Sequence, residues 1–209
     1  MVEYSKSDIA NFDRICRLTL VNSITGYKPA NLIGTSNQQG QTNLAIISSV
    51  VHLGSDPALL AFVMRPLQVE RHTLENILET GYYTINHIHQ AIAKRAHYTS
   101  ADFPREVSEF ERCNLTPQYL NGFGAPFVSE SRIKIGLSLA DTVKIQLNET
   151  IMVIGHVEHI FMEEDYFDPN KGLDLNRAGS ICISGLDSYH EVKLFDNYPY
   201  ATPDNTPPF

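Results

Sequence analysis

Apolar positions along the chain follow two periods. Ile9, Phe12, Ile15 and Cys16 recur at helical spacing, which predicts a helix near the N-terminus with Asp8 as its cap. After Gly26 the pattern turns to strand. "ANLIGTS" (30–36) and "NLAIISSVV" (43–51) flank a polar stretch whose Gly40 suits a turn, and together they predict a β-hairpin. "SDP" (55–57) is a further turn and "ALLAFVM" (58–64) a buried strand, with "RPLQVERH" (65–72) a loop after it. Thr73 as N-cap, Leu74, Ile77 and Leu78 inward and Gly81 as C-cap predict the next helix. "YYTINHI" (82–88) returns to β-formers.

Residues 93–102 lack periodicity and read as a polar loop, followed by a short helix carrying Val107 and Phe110. Strands follow at 131–139, 142–147, 150–162 and 180–186, with Asn148-Glu149 as a tight turn between two of them. Roughly seven strands with few helices predict a mainly β fold, a barrel or sandwich with helical insertions, rather than a doubly wound parallel sheet. One domain over 1–195 and a proline-rich tail over 196–209 account for the chain. The tail is expected to be extended, over the body or a partner subunit, or else disordered.

Composition changes this picture by exclusion. With 43% hydrophobic residues the 209-residue chain can form a real core, and a net charge of -8 argues against nucleic acid and anionic membrane partners. No apolar run reaches the roughly 18 residues a spanning helix needs. The polar N-terminal stretch lacks a signal-peptide core, so a cytoplasmic location is expected. Cys16, Cys113 and Cys182 form no CxxC pair and fit a reducing compartment.

Three polar groups stand out against the strands. Thr35, Ser36 and Asn37 leave one strand, Asn43 begins the next, and Ser48 and Ser49 lie within it. Adjacent strand residues face opposite ways, so only one serine hydroxyl can face a given pocket. Read alone, these residues are better explained by turn chemistry and a sheet-edge hydroxyl. Arg65, His72 and Thr73 converge on a helix N-terminus, where free amides and a fork-shaped guanidinium suit a phosphate; a solvated loop with a simple cap is the alternative. The 93–102 segment, with His97, Thr99 and Ser100, is either a functional lid or plain surface. His87 and His89 share a strand face, while His156 and His159 lie on opposite faces. No third ligand is recognisable by spacing, so no metal site is expected. Rossmann, P-loop, HExxH and GxSxG motifs are absent.

In order, "LIGTSNQQGQTNLAIISSVVHLGSDPALLAFVMRP", "RHTLENILETGYYTINHI", "AKRAHYTSADFPREVSEF" and "IGHVE" make the chain resemble the flavin reductase-like family with the FMN-binding split barrel, over about residues 25–190. The resemblance implies an antiparallel Greek-key split barrel, a homodimer, and FMN at the dimer interface serving an oxidoreductase. It implies that Thr35, Ser36 and Asn43 lie beside the flavin or its ribityl chain. Ser48 and Ser49 would meet the ring edge, Arg65, His72 and Thr73 the phosphate. His97, Thr99 and Ser100 would close over the site. A site ending at a helix terminus suits FMN better than FAD. One departure concerns the electron donor. Dedicated NAD(P)H:flavin reductases of this family often carry a Gly-Asp-His-Thr turn where this chain has Leu147-Asn148-Glu149-Thr150. That leaves either NAD(P)H or a protein as donor, and leaves open a non-enzymatic electron carrier. A metal-binding or purely structural β-barrel is the reading outside the family.

Overall fold

The computed structural model describes residues 1–66 and 71–208. Part of the loop expected after Arg65 therefore lies outside the described residues. Helices α1 (Lys6–Asn11) and α2 (Arg14–Ser23) come first, then β1 (Lys28–Pro29), β2 (Asn31–Ser36), β3 (Thr42–Ile47), β4 (Val51–Ser55) and β5 (Ala58–Met64). Next are α3 (His72–Thr80), β6 (Tyr82–His87), α4 (Gln90–Tyr98) and α5 (Glu109–Arg112). The second half adds β7 (Pro117–Gln118), β8 (Phe127–Val128), β9 (Lys134–Ile145), β10 (Thr150–Phe161), β11 (Phe167–Asp168), β12 (Gly172–Leu173), β13 (Ile181–Ser184) and β14 (Ser188–Glu191).

Seven strands form the main sheet in the order β3-β2-β6-β9-β10-β5-β4, every neighbour antiparallel. The two edge strands, β3 and β4, are consecutive in sequence, joined only by Ser48, Ser49 and Val50. A flat sheet of seven strands would hold its edges about 29 Å apart. The link from Ile47 to Val51 can reach at most about 14 Å. The sheet must therefore curl until its edges meet, without a ladder joining them. That is the physical content of a split barrel.

Two apolar clusters lie on either side of the curled sheet. On β2, Leu32 packs with Leu44, Ile92, Phe110, Val128 and Ile183, while its neighbour Ile33 packs with Phe62, Leu74, Ile77, Tyr83, Leu137 and Val153. All six residues of β2 are buried, so its sequence shows a run and no alternation. Leu74 and Ile77 of α3 plug the second cluster, each contributing on the order of 1.5–3 kcal/mol by burial. Gly81 ends α3 in the left-handed region (φ 78°) and donates its amide to the Ile77 carbonyl at 2.8 Å.

Several expectations are corrected. The N-terminal helix is two: Ser5 caps α1 in a reciprocal box in which Asp8 is the third helical residue, and Asp13 caps α2. Residues 90–98 form α4, because Ile92 and Ala96, one turn apart, bury against the core. The strands expected at 131–139 and 142–147 are a single strand, β9. Its pairing with β10 passes from Leu139–Gly155 to Asp141–Ile154, so Ala140 is an unpaired bulge that absorbs the polar interruption. His87 ends β6, whereas His89 is the N-cap of α4, so the two do not share a strand. The tail beyond Asp196 holds one short 3₁₀ turn, Pro203–Asn205, and no strand or longer helix among the described residues.

Candidate functional site

The hairpin β2–β3 turns at Asn37–Gln41, where the Asn37 carboxamide oxygen accepts from the amides of Gln39 (3.1 Å) and Gln41 (2.9 Å). β3 then starts with Asn43 buried. Its Nδ2 donates to Thr73 Oγ1 at 2.8 Å and more weakly to Thr35 Oγ1 at 3.4 Å, and Asn76 Nδ2 reaches the same Thr35 oxygen at 3.1 Å. This buried network bolts the start of α3 to the sheet. Thr73 is therefore not the N-cap. Arg71 is, without a side-chain capping bond, and Thr73 lies inside the first turn.

At the other end of β3 the ladder with β2 finishes at Ile47, opposite Asn31. The β4–β5 ladder begins at Val51, opposite Ala61. Continuing that register would pair residue 49 with residue 63. The Ser49 hydroxyl takes the place of that pairing: it accepts from the Val63 amide at 3.0 Å and donates to the Val63 carbonyl at 3.1 Å. Ser49 thus stitches the split. Ser48 stands between the ladders, half-buried, with no hydrogen bond of its side chain to any described residue. The serines do not lie inside a strand, contrary to expectation; they form its exit.

Along this split runs a cleft of about 960 Å³, near the upper end of the size usual for a small-molecule site. Ala45, Ile47, Val50, Val63 and Met64 give it an apolar wall. Arg65, Arg71, His72 and Thr73 form one end, and Thr99 to Phe103 flank it. Lys28 also lines the cleft, its Nζ donating to the carbonyls of Asn22 (3.1 Å) and Gly185 (2.8 Å). Glu109, on the first turn of α5, also lines the cleft. Burial pushes its carboxyl up, opposed by the Leu44 amide it accepts at 2.9 Å and by His72.

The residues singled out from sequence divide by position. Asn43, Ser48, Ser49, Arg65, His72, Thr73, Thr99 and Ser100 all line the cleft. Thr35, Ser36 and His97 do not. Thr35 is fully buried behind Asn43, Ser36 donates to the Gly124 carbonyl at 3.3 Å, and His97 Nδ1 lies 3.0 Å from the Tyr189 hydroxyl. The lack of alternation in an all-buried strand and the unrecognised α4 hid these placements. Arg71 was not among the candidates, although it completes the cationic end. Its Nε is buried and has no hydrogen-bond partner among the described residues. Other buried polar atoms share that condition, including Tyr83 Oη and Ser131 Oγ, but those residues do not line the cleft.

The end of the cleft thus combines a helix N-terminus, a buried guanidinium donor without a hydrogen-bond partner among the described residues, and a second arginine. Its charge suits an anion, and the wall beside it is apolar. Three histidines outside the cleft make contacts elsewhere: His87 Nδ1 lies 3.1 Å from Ser180 Oγ, His89 Nε2 2.9 Å from the Glu130 carbonyl, and His159 packs on Phe123 and Phe161.

Known proteins share this fold. A candidate flavin reductase with a split barrel domain from Shewanella frigidimarina NCIMB 400 is 42% identical and superposes with a TM-score of 0.93, covering 96% of this chain and 100% of that one. Component B of nitrilotriacetate monooxygenase from Bacillus cereus has the same fold at 18% identity and TM-score 0.82, over 95% and 98% of the two chains. An FMN-binding protein from Thermus thermophilus follows at 17% identity and TM-score 0.67, over 83% and 90%. The flavin reductase like domain matches residues 27–178, which hold the whole seven-stranded sheet. The chain belongs to the flavin reductase like family.

Proposed function

We propose that the cleft binds FMN and that the protein is an FMN-dependent oxidoreductase. The observation that carries this reading is the buried, unpartnered Nε of Arg71 at the uncapped start of α3, at one end of a cleft with an apolar wall. A buried donor without a partner costs about 1–3 kcal/mol, which a phosphate oxygen would recover. Arg71, Arg65 and the first-turn amides of α3 would hold the phosphate. Thr73 Oγ1 already accepts from Asn43, so its own hydrogen is available to donate. Ala45, Ile47, Val50 and Met64 would cover one face of the ring. Of the two serines, Ser48 would present its hydroxyl, because that of Ser49 is spent on Val63. FMN, when bound, supplies hydride and electron chemistry, for which no side-chain acid or base is needed. The chain's part is to hold the ring and shield one face from water.

Two copies of the chain would complete the site. This reading is supported by apolar side chains left open to solvent on the N-terminal helices and tail, among them Ile15, Ile24, Phe195 and Tyr200. Cytoplasm, with three unpaired cysteines, is the proposed location. The electron donor is a nicotinamide nucleotide or a redox protein. The β9–β10 turn favours the protein donor, because it offers no imidazole and the Asn148 carboxamide already accepts from the Thr150 amide and hydroxyl. Titration of flavin-free protein with FMN, followed by flavin fluorescence, tests the site: saturation at one FMN per chain is expected, and absence of quenching refutes it. Anaerobic mixing with NADH and NADPH then separates the donors. Rapid bleaching by either points to direct nucleotide use, and inertness to both points to a protein partner.

A further inference from the structure

Asn43 and His72 line both the cleft and a second, very small cavity. The adjoining cavity is about 10 Å³ and is walled by Asn37, Gln41, Asn76, Arg105 and Val107. That is room for about one water. Arg105 belongs to the segment between α4 and α5, which is fastened at both ends. At one end the hydroxyls of Thr99 and Ser100 donate to the carbonyls of Ala96 (2.8 Å) and His97 (2.7 Å). At the other, Ser108 Oγ lies 2.7 Å from Thr42 Oγ1, and Glu109 accepts from the Leu44 amide. Between these anchors Arg105 reaches α3 and forms an ion pair with Glu75. Glu75 in turn accepts the Arg71 amide at 3.3 Å, so the pair is tied to the turn that presents Arg71 to the cleft.

We propose that the Arg105–Glu75 pair closes the phosphate end of the cleft and makes the site select a flavin that ends in a monophosphate over flavin adenine dinucleotide. The inference rests on the FMN reading. FMN ends at the phosphate. A dinucleotide continues through a second phosphate and an adenosine, which must cross this strap or displace it. The two side chains are 39% and 42% exposed, so the latch is of modest strength and sensitive to salt.

The test is a titration of flavin-free protein with FMN and with FAD, on the wild type, Arg105→Ala, Glu75→Gln and the charge-reversed pair R105E/E75R. Glu75→Gln keeps an acceptor for the Arg71 amide while weakening the ion pair. The wild type is expected to bind FMN more tightly than FAD. Each single variant should bind FAD about threefold or more tighter with FMN affinity unchanged, and the reversed pair should restore the wild-type ratio. An FMN-to-FAD ratio that is the same in all four proteins overturns the inference while leaving the FMN reading intact. A ratio that falls only because FMN weakens also overturns it, by making Arg105 a phosphate ligand instead of a gate. Failure of the wild type to bind either flavin removes the FMN reading itself.

Discussion

Two polar clusters are buried in this sheet, and they end differently. Around Thr84 and Asn86 every contact closes on the protein: Thr84 Oγ1 donates to the Pro126 carbonyl at 2.7 Å, Asn86 donates to the Leu32 carbonyl and Thr84, and its oxygen accepts the Val128 amide at 2.9 Å. The cluster around Thr35, Asn43, Thr73 and Asn76 starts the same way, but it opens at its margin onto Arg71, whose Nε has no partner among the described residues, and onto the cleft. Both look alike in sequence, as threonines and asparagines in β-rich segments. The first fixes the 123–128 segment to the barrel. The second fixes a helix so that its N-terminus lines the cleft. Whether a buried polar group is structural or functional depends on where its last hydrogen bond goes.

Breaking the closed cluster should cost the most. A Cβ at Gly34 would stand 2.2 Å from the Pro126 carbonyl oxygen and 2.6 Å from Thr84 Oγ1. Gly34→Ala should therefore lower unfolding free energy by about 3 kcal/mol, read from urea denaturation. Breaking the open cluster should spare stability and cost binding. Arg71→Ala should weaken FMN by about 1.5–3 kcal/mol, roughly tenfold or more, with no fall in the urea midpoint of the flavin-free protein. Arg65→Ala should weaken it less, because Arg65 is exposed and its charge is screened.

A third test sets pH against the closed side of the molecule. Burial holds the His87 imidazole down at about 4, below its ordinary 6.5. The unfolded chain then binds the extra proton first, so stability should fall as pH drops from about 6.5 to about 4, by on the order of 2 kcal/mol. Urea midpoints across that window should decline less steeply in His87→Gln than in the wild type. An equal slope would show that burial does not hold His87 neutral.

The smallest effects separate the adjacent serines. Ser49→Ala removes the bonds to both backbone groups of Val63 and should cost about 1 kcal/mol of stability. Ser48→Ala should change stability by less than about 0.5 kcal/mol while weakening flavin a few-fold. Equal behaviour of the two would erase the distinction between stitch and ligand group.

Much of this was legible in the sequence wherever local chemistry decides. The strand 58–64 was read with its observed ends, and Gly81 was read as a cap, because a bounded apolar run and a left-handed glycine need no distant partner. The family order also located the cleft-lining Asn43, Ser48, Arg65 and Thr73. What stayed hidden was set by distant pairing. Ser49 could be recognised as a stitch only from the register that brings it to Val63. Thr35 looked accessible because a strand buried on both faces shows no alternation. His97 sat in a segment that looked like loop because only Ile92 and Ala96 mark the inward face of α4.

The most direct test of the central claim is the visible absorption spectrum of the purified protein after incubation with FMN and removal of unbound flavin. The account predicts oxidised-flavin absorption bands at one FMN per chain, with FMN as the flavin released on denaturation. A protein that stays colourless would contradict it.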